Sequence, residues 1–167
     1  MHKKVLSEIA LYYGDITMPK GFEINQETLT NDILKQNLQA CEFPFSKTWD
    51  MLNTYIREHI NVEYGFSLVN KQTWGDIYKP NQITIPLLHI DPVDLRNSPD
   101  YVLLYGVKVD NCQVRIHYDD NRRKGRSWDI ALENNKFIMF PATNRYSFSS
   151  NTSDSLNTIL TINYEYI

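Results

Sequence analysis

The pattern of apolar and polar positions changes once along the chain, near residue 66. Before that point, apolar residues recur with the 3.6-residue period of amphipathic helices. From Phe66 onward, short runs rich in Val, Ile, Tyr and Phe alternate with turn residues, which is typical of antiparallel strands. The pattern therefore predicts a helical N-terminal third followed by a β-rich remainder.

Two helices are predicted in the N-terminal third, after a short strand over Val5–Tyr13 that ends at Gly14 and Asp15. Asn25 is suited to cap the first helix and Ser46 the second, because their side-chain oxygens accept hydrogen bonds from the first turn. The apolar positions of the helices are Leu29, Ile33, Leu34, Leu38 and Cys41 in the first and Trp49, Leu52, Ile56 and Ile60 in the second, which should end near Gly65.

The rest of the chain predicts a mainly β fold, a jelly roll (double-stranded β-helix, cupin-like) of about eight strands with two N-terminal supporting helices. Asp110-Asn111 and Asn134-Asn135 suit tight turns, since Asn and Asp tolerate the left-handed conformation. We expect one domain over 1–167, in which 1–65 braces a core over 66–167. The predicted strands are Phe66–Tyr78, Gln82–Ile90, Tyr101–Val109, Cys112–Tyr118, Ser127–Leu132, Lys136–Phe140, Tyr146–Ser149 and Leu156–Ile167.

Composition excludes several classes of protein. The 167 residues are 42% hydrophobic and 13% aromatic, too apolar for a disordered chain. The net charge of −3 gives no general attraction to phosphate backbones, and no apolar run approaches the length of a membrane span. The N-terminus reaches Glu8 before a signal-peptide core develops, so we expect a cytoplasmic protein. Cys41 and Cys112 favour buried free thiols over a disulfide or a zinc site.

Several segments of the β-rich region resemble the 2-oxoglutarate/Fe(II) oxygenase family of tailed phages, especially cyanophages. Trp74–Tyr78 leading into His89–Pro92 resembles a strand that runs to the family's His-x-His/Asp-Pro metal motif. Tyr105–Val109 resembles the next strand. Lys136–Ala142 resembles the family's apolar strand that ends in Phe-Pro-Ser, just before the loop with the last metal ligand. Asn151–Asp154 resembles the Asn-x-Ser-Asp turn that follows this loop. The resemblance implies a double-stranded β-helix that holds Fe(II) and 2-oxoglutarate.

Two further segments, Asp91–Tyr101 and Asp119–Trp128, resemble small uncharacterised proteins of cyanophages. This likeness carries no activity. It implies a phage setting, and with it a location in the host cytoplasm or in the virion.

His89 and Asp91 are the candidate metal ligands. They are two positions apart on a predicted strand, so both side chains point to one face, as the resemblance implies for two of the three ligands of a non-haem iron. The alternative is structural: His89 ends a strand and Asp91 begins a turn at Pro92. The sequence leaves both interpretations open.

The remaining positions of the family site are not matched. Counted from Phe140-Pro141, the family's distal His falls on Tyr146, and no histidine follows His117. The Arg or Lys that the family uses to hold 2-oxoglutarate falls on Asn157. A phenol is a poor substitute for imidazole at neutral pH. The sequence therefore predicts an oxygenase frame without catalytic residues and without a bound cofactor.

Two other clusters of polar residues have alternative interpretations. His117 and Asp119 form a second His-x-Asp pair that could join His89 at a metal, although a strand-face histidine is the simpler explanation. Arg145 could enter the mouth of the barrel. The cations Arg122, Arg123, Lys124 and Arg126 could contact phosphates or an acidic neighbour, but a solvated loop is favoured over nucleic-acid binding because no aromatic residues are interleaved.

Three functions remain open at this stage. The first is a non-catalytic jelly roll that serves as a structural or accessory component of a phage particle, whose partners are other phage structural proteins or copies of itself. The second is an active Fe(II)/2-oxoglutarate-dependent dioxygenase. The third is a small-molecule- or sugar-binding jelly roll with an aromatic barrel mouth.

Overall fold

The computed structural model describes residues 1–6, 8–38, 46–121, 124–149 and 154–167. Within these residues the chain forms eight strands, two α-helices and a short 3-10 helix over Leu95–Asn97. The elements are β1 (Tyr12–Asp15), α1 (Gln26–Leu38), α2 (Lys47–Tyr64), β2 (Leu68–Tyr78), β3 (Tyr101–Lys108), β4 (Cys112–Asn121), β5 (Lys124–Leu132), β6 (Lys136–Pro141), β7 (Arg145–Ser149) and β8 (Asn157–Tyr166).

The strands form two antiparallel sheets. The large sheet has five strands in the order β1-β6-β3-β8-β2, and the small sheet has three in the order β5-β4-β7. Consecutive strands β3 to β7 therefore alternate between sheets except for the β4–β5 hairpin, as in a jelly roll. The predicted mainly β fold of about eight strands with two supporting helices is confirmed.

Both predicted helix caps are present. The Oδ1 atom of Asn25 accepts from the N–H of Thr28 at 3.0 Å, and the Oγ atom of Ser46 accepts from the N–H of Trp49 at 3.3 Å. The second helix ends at Gly65, whose φ of 68° is left-handed. The predicted apolar face of α2 is buried throughout, whereas Leu38 at the end of α1 is 80% exposed. Cys41 lies outside the described residues.

Two predicted strands are wrong or displaced. The first strand covers Tyr12–Asp15 rather than Val5–Tyr13, because Gly14 and Asp15 pair with β6 instead of forming a turn. The segment Gln82–Ile90 is not a regular strand. It touches β7 through the Leu87–Tyr146 bridge and through Thr84, and Pro86 between them lacks the N–H that a continuous ladder needs.

Two apolar cores lie on opposite faces of the large sheet. On one face, α1 and α2 cover buried side chains of β3 and β8 such as Leu103 and Ile162. On the other face, Val102 and Ile159 pack against the small sheet, where Cys112 is a buried free thiol as predicted. Within the described residues, neither helix combines the length and the apolar character needed to cross a membrane.

Helix α1 is fixed to the outer edge of β2 at Gly75. The N–H of Gly75 donates to Oε1 of Gln36 at 2.8 Å, and its carbonyl accepts from Nδ2 of Asn37 at 3.0 Å. A Cβ atom at this position would lie 2.6 Å from Cγ2 of Ile33, so the helix approaches the strand closely only because residue 75 is glycine.

Candidate functional site

The candidate site lies between the two sheets, where β2 presents Trp74, Asp76 and Tyr78 on its inner face. These residues alternate with Gly75 and Ile77, which face the helices. Tyr78 belongs to the core between the sheets, and Trp74 contacts the ring of His89. Strand β2 therefore contributes a row of polar and aromatic side chains to the barrel interior.

His89 and Tyr146 form the centre of this site. Nε2 of His89 and the hydroxyl of Tyr146 are hydrogen-bonded at 2.6 Å. The two rings are stacked with centroids 5.5 Å apart and planes 17° apart, and Trp74 lies on His89 with centroids 5.3 Å apart. Tyr146, on which the resemblance places the family's distal ligand, therefore lies directly against His89, the first candidate ligand.

Burial sets the protonation states of this pair. It lowers the pKa of the half-buried His89, and it raises the pKa of the buried Tyr146, which the charge of Asp76 raises further. A neutral imidazole and a protonated phenol are therefore the favoured forms at neutral pH. These two forms are suited to the short hydrogen bond that joins them.

Asp76 is a partly buried carboxylate of the site. Its Oδ2 atom accepts from the hydroxyl of Thr161 at 2.7 Å and from Nε1 of Trp74 at 3.1 Å. Burial raises the pKa of Asp76, and the two hydrogen bonds oppose this shift without cancelling it. The carboxylate fixes Trp74, which in turn packs on His89.

The other predicted site positions are engaged elsewhere. Asp91 is exposed, and its Oδ1 atom accepts from the N–H of Val93 at 2.9 Å, which closes a turn. Asn157 is buried at the start of β8, where its Oδ1 atom accepts from the N–H of Asp110 at 2.8 Å. The amide of Asn157 therefore stabilises the β3–β4 turn.

These residues do not fit an iron site of two histidines and one carboxylate. Across the described part of the chain, no three His, Cys, Asp or Glu side chains are grouped as metal ligands would be. The position next to His89 holds a phenol whose raised pKa disfavours the phenolate that binds iron. The buried Asn157 has neither the charge nor the donors of a guanidinium that would clamp 2-oxoglutarate.

The second His-x-Asp pair lies on a different surface. His117 pairs with Arg145 across β4 and β7, and both face outward, because the neighbouring Ile116 and Tyr146 are buried between the sheets. Nε2 of His117 is 3.5 Å from Oγ of Ser147. Arg145 thus does not enter the barrel between the sheets. Of the basic cluster, Arg126 is described and exposed, whereas Arg122 and Arg123 lie outside the described residues.

The sequence pattern does not distinguish Asp76 or Thr161 as site residues. Trp74–Tyr78 carries a family resemblance, but nothing in this segment separates an inward-facing aspartate from a solvated one. The alternation along β2 was the available signal, since it places Asp76 on the same face as Trp74 and Tyr78.

Comparisons with solved structures identify the fold. A prolyl-4-hydroxylase from Pseudomonas putida matches with a TM-score of 0.65 and 11% identity, over 94% of this chain and 92% of that one. AviO1 from Streptomyces viridochromogenes matches with a TM-score of 0.67 and 11% identity, over 94% and 90%. The chain has the double-stranded β-helix fold of 2-oxoglutarate/Fe(II) oxygenases. No protein-family model and no curated protein matches it.

A third structure with this oxygenase fold is SnoN, a non-haem α-ketoglutarate-dependent epimerase from nogalamycin biosynthesis. It matches with a TM-score of 0.63 and 10% identity, over 93% of this chain and 76% of that one. SnoN has also been solved with Fe3+ and α-ketoglutarate. At such low identity, the likeness extends to the oxygenase fold and not to the contents of the site.

Proposed function

We propose that this chain is a non-catalytic protein with an oxygenase fold, which serves as a structural or accessory component of a phage particle. The observation that carries the non-catalytic part is the 2.6 Å hydrogen bond between His89 and Tyr146. A buried aromatic ring occupies the position that the resemblance assigns to a metal-binding imidazole. His89, which lies between the sheets, is therefore hydrogen-bonded within the protein.

Two further observations support this part of the proposal. The carboxylate of Asp91 closes its own turn with Val93, and the amide of Asn157 holds the turn at Asp110. The residue at each position that the resemblance assigns to iron or to 2-oxoglutarate thus makes a hydrogen bond within the protein. A rigid double-stranded β-helix with such an interior offers faces and loops for assembly rather than a reaction centre.

The phage part of the proposal has separate support. It rests on the likeness of Asp91–Tyr101 and Asp119–Trp128 to proteins of cyanophages. Mass spectrometry of washed virions tests it, and we expect the chain to be present in a fixed ratio to the major capsid protein. Its absence from virions would contradict a structural role there.

Metal titration tests the non-catalytic part. We expect wild-type protein to show no stoichiometric binding of Fe(II), or of Co(II) as a stable substitute, by anaerobic isothermal titration calorimetry. Tyr146→His places a second imidazole beside His89 and should tighten Co(II) binding by about tenfold or more. Tyr146→Phe is the matched control, because it removes the same hydroxyl without supplying a ligand.

The alternative is an active Fe(II)/2-oxoglutarate-dependent dioxygenase. It is favoured by the fold shared with such enzymes over almost the whole chain and by the inward position of His89. Wild-type protein that binds one equivalent of Fe(II) and converts 2-oxoglutarate to succinate would establish this alternative and overturn our proposal. Loss of that turnover in His89→Gln would assign it to this site.

A further inference from the structure

A second cavity lies at one end of the small sheet, beside the turn between β6 and β7 and the segment that precedes His89. Its volume is about 470 Å³, within the range of small-molecule pockets. Strands β4, β5 and β7 supply its polar wall, and the N-terminal segment and the segment before His89 supply its apolar wall. The lining residues central to its chemistry are His117, Arg126, Arg145, Tyr118, Asn144 and Leu88.

The titratable side chains that line this cavity include His117, Arg126 and Arg145. His117 and Arg145 are neighbours across β4 and β7, and Arg126 lies on the adjacent strand β5. Among the described residues, no Asp or Glu lines the cavity. The carboxylate of Asp129, on the same face of the sheet, already accepts from Arg115 at 2.7 Å. The guanidinium of Arg145 therefore gives the cavity a positive charge in a protein whose net charge is −3.

An aromatic groove of about 330 Å³ adjoins this cavity and shares Ile9, Tyr118 and Asn144 with it. The groove is mainly apolar, and its wall includes Trp128, which is 60% exposed although it lies opposite the buried Ile116. An exposed tryptophan beside a cationic cavity offers a flat apolar surface to a ligand that the cations hold. Asn144 is buried at the junction and lines both spaces.

We propose that the cavity and the groove together bind a small organic anion with an apolar, flat body. Its carboxylate or phosphate group lies against Arg145 and His117, because a guanidinium pairs with two oxygens of such groups at once. Its body lies along Tyr118 toward Trp128. The charged groups line the cavity and Trp128 lines the groove, and Tyr118 and Asn144, which line both, connect the two spaces as a ligand with one charged and one apolar end requires.

This site is independent of the His89–Tyr146 pair. Arg145 and Tyr146 are consecutive on β7 and face opposite sides of the sheet, so the charged end of the proposed site lies on the other side of the strand from the pair. The groove reaches Ile116 and Phe140 of the core between the sheets, but neither His89 nor Tyr146 is among the described residues that line the cavity or the groove, and a ligand at Arg145 needs no metal. The proposal for the anion site can therefore fail or succeed without changing the proposal for the interior.

Calorimetric titration of the full chain with phenyl phosphate, benzoate and inorganic phosphate tests this inference. We expect saturable one-site binding of phenyl phosphate, weakened about tenfold or more in Arg145→Gln by loss of a charged hydrogen-bonding pair. Arg115→Gln is the matched control. It removes the same charge from the same face of the small sheet, on β4, but Arg115 does not line the cavity, so the affinity of this variant for phenyl phosphate should stay within about twofold of wild type.

The probes separate the parts of the proposal. Tighter binding of phenyl phosphate than of inorganic phosphate, with the difference lost in Trp128→Ala, supports the apolar end of the site. Benzoate compared with phenyl phosphate tells whether the charged end prefers a carboxylate or a phosphate. Equal losses of affinity in Arg145→Gln and Arg115→Gln would show that only the net charge of the protein matters, and would overturn the proposed site. A lack of saturable binding for all three probes would also overturn it.

Discussion

Asp76 is a carboxylate held inside the barrel by two neutral donors, the hydroxyl of Thr161 and the indole N–H of Trp74. The hydrogen bonds satisfy one oxygen of the group, but they do not supply the positive charge that would offset its desolvation. Its ionised form therefore costs stability in the folded state. The same carboxylate orients Trp74 against His89, so a destabilising group helps to position the candidate site.

Substitution of Asp76 tests this cost. Burial raises its pKa above 3.8, so the folded protein binds a proton more tightly than the unfolded chain does. The penalty is thus absent at low pH and appears as pH rises through the raised pKa. Asp76→Asn keeps an oxygen that accepts from both donors. We expect the variant to exceed wild type in free energy of unfolding at pH 7, and the excess to shrink toward pH 4, as measured by urea denaturation.

Asp129 provides a control of opposite sign. Its pKa is lowered by the hydrogen bond from Arg115, so its contribution to stability is present at neutral pH and is lost as pH falls through the lowered pKa. Asp129→Asn should therefore lower, not raise, the stability at pH 7. If both substitutions shift stability in the same direction, the burial of Asp76 is not the cause of its effect.

At the level of elements, the sequence predicted the helices and most strands because their signals are local. Asn25 and Ser46 cap the helices through contacts three residues away, and Asn111 and Asn135 have positive φ at the turns where Asn was expected. The segment Gln82–Ile90 has the composition of a strand but does not form one. Its irregularity depends on Pro86 and on the edge of β7, which composition alone does not reveal.

The site was predictable only in part, for a similar reason. The spacing from Phe140 assigns Tyr146 to the position of the family's distal ligand, and this assignment stays a prediction; the structure shows that the turn between β6 and β7 is short and that Tyr146 lies near the start of β7. The pairing of Tyr146 with His89 joins two segments distant in sequence, and the turn of Asp91 onto Val93 removes a carboxylate that alternation alone would place beside His89. Asp91 as a metal ligand stays a prediction, and no set of three His, Cys, Asp or Glu side chains that could hold a metal ion lies among the described residues.

The contact between α1 and β2 gives a prediction for an element. Gly75→Ala would place a methyl group 2.6 Å from Cγ2 of Ile33, which overpacks the helix against the strand. Such overpacking costs typically about 1–3 kcal/mol in free energy of unfolding. Chemical denaturation of the variant measures this loss directly.

A double-mutant cycle with Ile33→Ala identifies the cause. Without the Cγ atoms of Ile33, the methyl group at residue 75 meets less resistance, so Gly75→Ala should cost less in that background. An equal cost in both backgrounds would point instead to the backbone of β2 and would refute steric contact with the helix.

For the whole molecule, the large sheet is covered on both faces. The helices bury Leu103, Tyr105 and Leu160 on one side, while the small sheet covers the other. The helices within residues 1–65 therefore form one of the two apolar cores together with the large sheet, and they are an integral part of the fold. Loss of this layer would leave a broad apolar surface of the sheet open to water.

A shortened chain of residues 66–167 tests how far the barrel depends on that layer. We expect it to lack a cooperative thermal transition and to bind the dye ANS, because the face that contains Ile162 and Tyr164 loses its cover. The full chain under the same buffer conditions is the reference. A soluble fragment that unfolds cooperatively would show that the barrel folds without the helices.

The hydrogen bonds from Gln36 and Asn37 to Gly75 also bear on aggregation. An edge strand normally offers free N–H and C=O groups to a strand of another molecule. Here the amides of α1 bond the N–H and C=O of Gly75 on β2, and Thr84 and Leu87 bond backbone groups of Phe148 and Tyr146 on β7. A strand of another copy that added to either edge at these positions would have to displace these contacts, which makes edge-to-edge pairing there less favourable.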